Sequence, residues 1–402
     1  MRITPLKIAF LTAFIDLLGF GIIIPIQPFY AETFGMSPAK ITLLGASYSL
    51  MQFLFSQPIG RLSDRVGRKP VLIGCVALIA VGHLIFALAE TVSTLFIARC
   101  LCGLGAANLG TTQAIIADST SPAERTKGMG LIGVAFGLGF IFGPALGGAL
   151  GQFGPRVPIL AAAGLSLINL AMIISILPET RVFTNHKQPP PKKLKVLCRL
   201  PNLTQLFAIS FIFALGFALM EQTVGLYIEV VWVKPQALSA EESLKVSSRL
   251  TAYFLTIIGI TATIVQGGLI GYLSKRFGEV KLVRVGLLIV TLSLLSVSIA
   301  GMFKAFGLLL CIGLFMAIGT GVLHPSRNGL LSQAVAPESQ GNALGFHHSF
   351  SALGRIIGPL FAGLLFEYNP SLPILVGGSV MGIALLFSLG LTTPTKVSHV
   401  KS

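Results

Sequence analysis

Apolar residues in this chain come in long runs and not at alternating positions. The runs are Leu6–Tyr30, Ile41–Ile59, Val71–Ala89, Leu95–Ile116, Met129–Leu150 and Ile159–Leu177, then Leu206–Trp232, Leu250–Leu273, Leu282–Met302, Phe306–Leu323, Ala343–Phe366 and Ile374–Leu391. Each holds about 20 residues, the length that carries a helix across a bilayer. Strands of a transmembrane barrel would be about half as long and would alternate apolar with polar. The pattern predicts an all-α integral membrane protein with about twelve transmembrane helices. The start, Met1–Gly21, has the positive charge and apolar run of a signal peptide. It lacks an A-x-A cleavage pattern and carries Asp16 in mid-run, so it reads as a retained first span. No lipidation signature is present.

The runs fall into six, a break, and six more. The break, Pro178–Pro201, contains Pro189, Pro190 and Pro191, then Lys192, Lys193, Lys195 and Arg199. Proline holds an extended, non-helical path, so this segment is a linker. The expected organisation is one six-helix bundle over residues 1–178, a linker over 179–204, a second six-helix bundle over 205–393 and a tail over 394–402. The two bundles look pseudo-symmetric. Gly60 and Gly67 flank a short loop after the second span, as Gly271 and Gly278 do after the eighth. Gly143-Pro144 recurs as Gly358-Pro359, and Pro122 and Pro337 precede those pairs by the same distance. Parallel repeats of this kind place a substrate site at the interface of two halves.

Composition agrees with a membrane protein. Hydrophobic residues make up 53% and charged residues 11%, against about 25% charged in soluble proteins. An ordinary water-soluble enzyme is excluded. The net charge of +15, from 29 Lys and Arg against 14 Asp and Glu, would suggest nucleic acid in a soluble protein. No nucleic-acid motif is visible, and basic cytoplasmic loops explain the excess. With both termini placed in the cytoplasm, the loops opposite hold only Lys40, Arg156, Lys234, Lys245, Arg249 and Lys304. That asymmetry predicts cytoplasmic termini. The five cysteines include a C-x-C pair, Cys100 and Cys102, without metal-site spacing, and read as small apolar fillers. Neither a metal nor a cofactor is expected.

The loop Gly60-Arg-Leu-Ser-Asp-Arg-Val-Gly-Arg-Lys69 carries the most specific signal. It resembles the loop signature of the major facilitator superfamily, with Gly60, Asp64, Arg65, Gly67, Arg68 and Lys69 at the signature positions. Glycine allows the sharp turn, and Asp64 suits the positive end of another helix. The resemblance implies a cytoplasmic gate that latches the halves, with Arg68 near Asp118. A plain basic anchor is the other reading. The second copy has Lys275 where the first has Asp64, which puts its latch role in doubt.

Gly133, Gly137, Gly143, Pro144 and Gly147 crowd the fifth span. They resemble the fifth-helix motif of the family's drug:proton antiporters; general tight packing of small residues is the alternative. Arg99, followed by Gly103 and Gly105, is similar to a family motif linked to proton transfer, or else it caps or snorkels. Asp16, in Asp16-Leu-Leu-Gly-Phe-Gly-Ile-Ile-Ile-Pro25, resembles the first helix of tetracycline:proton antiporters. Glu221 lies in the seventh span. Burial disfavours the charged form of a carboxylate, so Asp16 and Glu221 are candidate proton carriers, or structural acids. Gln222, His324, Arg327 and His347 are candidates for lining the cavity, with polar packing the alternative for the histidines.

No Walker loop, dinucleotide fingerprint or nucleophile elbow appears, so an ion gradient is the expected energy source. The resemblance implies a proton-driven antiporter that exports small amphipathic compounds by alternating access. It would act as a monomer in a bacterial inner membrane, with a small-molecule substrate, protons and the lipid bilayer as partners. A proton-coupled symporter for a nutrient or metal–chelator complex is the alternative. A non-transporting receptor or scaffold is a third reading, which the gating and Gly-Pro motifs oppose.

Overall fold

The computed structural model describes residues 4–120, 125–181, 199–200, 202–335 and 340–392. Pro122, Pro337, the Pro189–Lys195 part of the linker and the tail's Lys396 and Lys401 lie outside the described residues. Among the described residues the chain is helical, with no strand. The helices are α1 Pro5–Ile23, the short α2 Gln27–Glu32, α3 Pro38–Val66, α4 Arg68–Ala87, α5 Val92–Asp118, α6 Arg125–Gly151 and α7 Arg156–Ile176. They continue with α8 Leu203–Gln236, α9 Ala240–Phe277, α10 Glu279–Met302, α11 Phe306–Gln333, α12 Gln340–Tyr368 and α13 Leu372–Leu389.

Eleven of these are long and apolar enough to cross a membrane. The exception among the expected spans is α3. Its 29 residues would reach about 43 Å at 1.5 Å per residue, but Ser47, Ser49, Gln52, Ser56 and Gln57 make it more polar than the rest. Large apolar side chains elsewhere face outward, including Ile168, Phe315, Phe361 and Leu364. A soluble protein rarely shows so many; lipid accepts them. The first expected span is shorter than its apolar run, because the chain turns at Ile24–Ile26, around Pro25, before α2.

Several helices are not regular throughout. The α-helical part of α8 ends at Glu221, a turn follows at Gln222-Thr223, and the chain resumes as Val224–Ile228 and a π-helical turn over Glu229–Val233. A second π-helical turn interrupts α9 at Val265–Leu269, and α5 tightens to a 3-10 turn at Ala106–Asn108. Such interruptions inside helices are frequent at functional positions.

The helices form two compact units. One holds α1–α7 together with the stretch of α8 and α9 from Gln222 to Ile260 and the end of α12 from Pro359. The other holds α8 up to Glu221, α9 from Thr261, α10, α11, α12 up to Gly358, and α13. Within the first unit, close approach depends on glycine. A Cβ on Gly259 of α9 would stand 2.5 Å from the Phe140 carbonyl oxygen of α6. Gly148 of α6 lies directly against Ala252 of α9, and Gly363 of α12 against Ala39 of α3. Beside that last approach, the Glu367 carboxylate accepts from the Ala39 backbone N–H at 3.2 Å, at the positive end of α3.

The α1–α6 pair shows the same logic. A Cβ on Gly143 would lie 2.6 Å from the Cα of Gly21, whereas Gly133 faces open space. Gly143→Val should therefore cost about 1–3 kcal/mol by overpacking and lower the melting temperature of the purified protein. Gly133→Ala should leave it unchanged or raise it, since alanine is the better helix former. Equal melting temperatures for the two variants would contradict the close α1–α6 packing.

Candidate functional site

Three polar centres interrupt the apolar helices. The first is the signature loop between α3 and α4. Gly67 turns the chain with φ of +115°, in the region that favours glycine. Arg68 then begins α4 and folds back. Its Nε donates to Asp118 Oδ2 at 3.2 Å, at the end of α5, and its Nη1 pairs with Asp64 and donates to the buried Ser63 hydroxyl at 2.9 Å. Lys69 Nζ donates to the Ile174 carbonyl at 2.9 Å, in the last turn of α7. Cations suit that position. Arg65 is exposed, and a Cβ added at Gly60 would meet open space.

Glu179 completes this loop, and sequence reasoning missed it. It follows α7 and accepts from the backbone N–H groups of Arg68 at 2.9 Å and Lys69 at 3.1 Å. Those are orphan donors at the start of α4. Burial pushes the Glu179 carboxyl up, but the backbone N–H groups of Arg181, Arg68, Lys69 and Thr180 outweigh it, and its pKa lies below the ordinary value. A Cβ at Gly67 would meet Glu179 Oε2 at 2.5 Å, so that glycine serves the turn and the cap together.

The second copy repeats the geometry with different charges. Gly278 has φ of +74°, Glu279 begins α10, and Gln333 at the end of α11 donates to Glu279 Oε2 at 2.6 Å. Glu279 and Gln333 thus stand where Arg68 and Asp118 stand in the first copy. Arg284 supplies the counterpart of Lys69. It donates to the carbonyls of Ser388, Leu389 and Leu391 at 2.9–3.1 Å, at the end of α13.

The second centre lies inside the first unit. Asp16 of α1 accepts from Asn108 Nδ2 at 2.7 Å and from Asn169 Nδ2 at 3.1 Å. Thr12 donates to Asn169 Oδ1 at 3.1 Å. Asn108 is presented by the 3-10 turn in α5. Both Asp16 oxygens are therefore held by amide donors, with no cation bonded to them. Arg99 is 4% exposed and has no acidic partner among the described residues. Its guanidinium lies 4.6 Å from the centre of the Tyr48 ring and 6.0 Å from that of Phe86, so cation–π attraction takes the place of an ion pair. Gly103 and Gly105 admit the backbones of Tyr48 and Cys75. Of the fifth-span residues, Gly143 and Gly147 press on α1, and Pro144 lies inside α6. Gly137 lies in α6.

The third centre lies in the second unit. Glu221 ends the α-helical part of α8, and the charge of Arg355 on α12 acts on it. The same Arg355 charge acts on His324, Arg327, His347 and His348. Arg327 Nη2 lies 3.2 Å from His324 Nδ1. His324 stands edge-on to Phe213 at 5.0 Å, and the Arg327 guanidinium lies 5.4 Å from the centre of the same ring. His347 is buried and bonded through Nδ1 to the Ser210 hydroxyl at 2.7 Å, while His348 is exposed. The structure thus brings Glu221, His324 and Arg327 into one cluster and ties His347 to α8. Gln222, the next residue in the chain, belongs to the first unit, where a Cβ on Gly45 of α3 would meet its side chain.

A further acid pair escaped sequence reasoning. Glu32, at the end of α2, is hydrogen-bonded to Glu229 of α8. Burial, then the charge and hydrogen bond of Glu229, push Glu32 up to about 8, against a smaller opposite effect of Lys234. Lys234 Nζ reaches Glu229 Oε1 at 3.8 Å.

The family model described as Major Facilitator Superfamily matches residues 9–238 and 232–402. Multidrug resistance protein 2 of Bacillus subtilis (strain 168) is 30% identical over 387 residues, covering 94% of this chain and 92% of the relative. Tetracycline resistance protein, class B, of Escherichia coli is 28% identical over 374 residues, covering 92% and 89%. Among solved structures, a bacterial homologue of the human lysosomal transporter Spinster, inward-facing and occupied, superposes with a TM-score of 0.76 at 16% identity. It covers 97% of this chain and 98% of its own, and it supports the fold alone.

The Glu179 cap carries a pH dependence. Its pKa is depressed, so its stabilisation is present above the ordinary value of 4.5 and is lost as pH falls through the lower folded value. Glu179→Ala should destabilise the protein at neutral pH by about 0.5–1 kcal/mol, the low end for caps because the site is exposed. The gap between variant and wild-type melting temperatures should close on acidification. A gap that is constant with pH would contradict the cap.

Proposed function

We propose that this chain, which belongs to the major facilitator superfamily, is a proton-driven antiporter that exports small amphipathic compounds by alternating access. One observation carries the reading. Similarity to proteins named for multidrug and tetracycline resistance runs through more than nine-tenths of the chain, and both halves hold an acid inside a helix. Asp16 sits in α1 and Glu221 at the break in α8.

The coupling follows from competition. A carboxylate inside a span binds a proton or a cationic centre of the compound, not both, so each displaces the other, and the linkage is reciprocal. A proton arriving from the side of higher acidity releases the compound there. Glu221 is the carrier in this scheme because the chain breaks directly after it, and a discontinuous helix is where transporters of this kind bind ions and substrate. Asp16, already held by two amides, is next in line. The loop around Asp64 and Arg68 latches the halves at the cytoplasmic face, and Arg99 supports proton movement in the first half. The protein works as a monomer in a bacterial inner membrane, with both termini cytoplasmic.

Glu221→Gln should abolish accumulation of compound against its gradient in proteoliposomes energised by a pH gradient. Exchange of labelled for unlabelled compound at equal pH should survive, since exchange moves no net proton. Continued uphill transport by the variant would move the proton to Asp16. Loss of both activities would make Glu221 a ligand of the compound or a structural acid.

A further inference from the structure

Arg327 is a buried cation whose bonding is incomplete. It is 3% exposed. Of its three guanidinium nitrogens, Nη2 faces His324 Nδ1 at 3.2 Å, and Nε and Nη1 have no hydrogen-bond partner among the described residues. The Phe213 ring lies 5.4 Å away and offers its face to the charge but no lone pair to these N–H groups. Arginine has five donors, no acceptor and a permanent charge, so titration cannot relieve it. Among the described residues no carboxylate forms an ion pair with it. The charged neighbour acting on it is a second cation, Arg355. The one carboxylate of the cluster, Glu221, sits under the influence of that same Arg355. The three histidines, His324, His347 and His348, bring no negative charge. Burying a charge without a partner is costly, so a site of this kind is completed by a negatively charged ligand.

We propose that this cluster is a subsite for an oxyanion on the exported compound, a carboxylate or sulfonate, with Arg327 as the residue that binds it. Charge-assisted hydrogen bonds from guanidinium to oxyanions are among the strongest in proteins. Phe213 stacks on the apolar body beside the anion, as the edge-on His324 at 5.0 Å fixes that ring in place. The subsite rests on the reading of the chain as an exporter and narrows it. The compound carries an anionic group for Arg327 as well as the cationic centre that competes with the proton at Glu221. It is amphoteric.

A matched dye pair tests this. A rhodamine with a free carboxyl group and its methyl ester share one cationic ring system and differ at the carboxylate. Binding of each to the purified full-length protein is read by fluorescence polarisation. The wild type should bind the free acid roughly 10- to 100-fold more tightly than the ester, the range for a hydrogen bond to a charged group. Arg327→Gln should erase that preference, and Arg327→Lys should keep part of it. Equal wild-type affinity for the two dyes, or none for either, overturns the subsite, and that comparison needs no folded variant. A preference that persists in Arg327→Gln also overturns it. Export is read apart from binding, as energised accumulation of the free-acid dye in everted membrane vesicles. If the free acid is not accumulated while its binding preference depends on Arg327, the export reading fails and the subsite stands.

Discussion

Hydrocarbon gives a polar group nothing to bond to, so every polar atom inside these helices must be satisfied by the chain or by what it carries. Most are satisfied locally. Asp16 is held by two asparagine amides, His347 by the Ser210 hydroxyl, and the last carbonyls of α13 by Arg284. Arg99 rests on aromatic faces. Against that background the incomplete groups stand out. Among the described residues, two nitrogens of Arg327 and one of Arg99 lack an acceptor, and one oxygen of Glu229 lacks a donor. In a structural protein such groups would be defects. In a transporter such groups are candidate places for a solute, because a site that is already satisfied has nothing to gain by binding.

Small residues are the second requirement, since polar side chains can meet only where backbones come close. Lipid provides no hydrophobic drive between helices, so packing must provide the attraction. In the first unit, glycine at 143, 148 and 259 brings α1 and α9 close against α6, and glycine at 363 brings α12 close against α3. The same need for tight turns keeps Gly67 and Gly278 at positive φ in both copies of the signature loop. The charges at those loops are free to diverge. An ion pair between Arg68 and Asp118 in one copy becomes a carboxylate and an amide, Glu279 and Gln333, in the other. Geometry is retained between the two loops where charge is not.

Much of the fold is legible in the sequence because a bilayer imposes length and apolarity on each span. Every expected run lies in a helix, and the first shortens where Pro25 turns the chain. The break after Glu221 is less legible, because no proline marks it. The signature loop could be read to the pairing of Arg68 with Asp118, since Asp118 is the acid at the end of the fourth span. Glu179 could not, as its value comes from two backbone N–H groups more than a hundred residues away in sequence. Asn108 and Asn169 were visible as amides within apolar runs, a signal of a polar centre. That both converge on Asp16, 92 and 153 residues distant, is a product of helix packing that periodicity does not encode. Arg327 was legible as a residue but not as an unsatisfied one.

The most direct test of the account is transport in everted membrane vesicles containing this protein. Acidifying the vesicle interior recreates the proton gradient that an exporter meets in the cell. The account predicts that a fluorescent amphipathic compound accumulates inside such vesicles and leaks back when the gradient is collapsed by an ionophore. If the acid interior instead drives the compound out of preloaded vesicles, proton and compound move together, and the protein is a symporter.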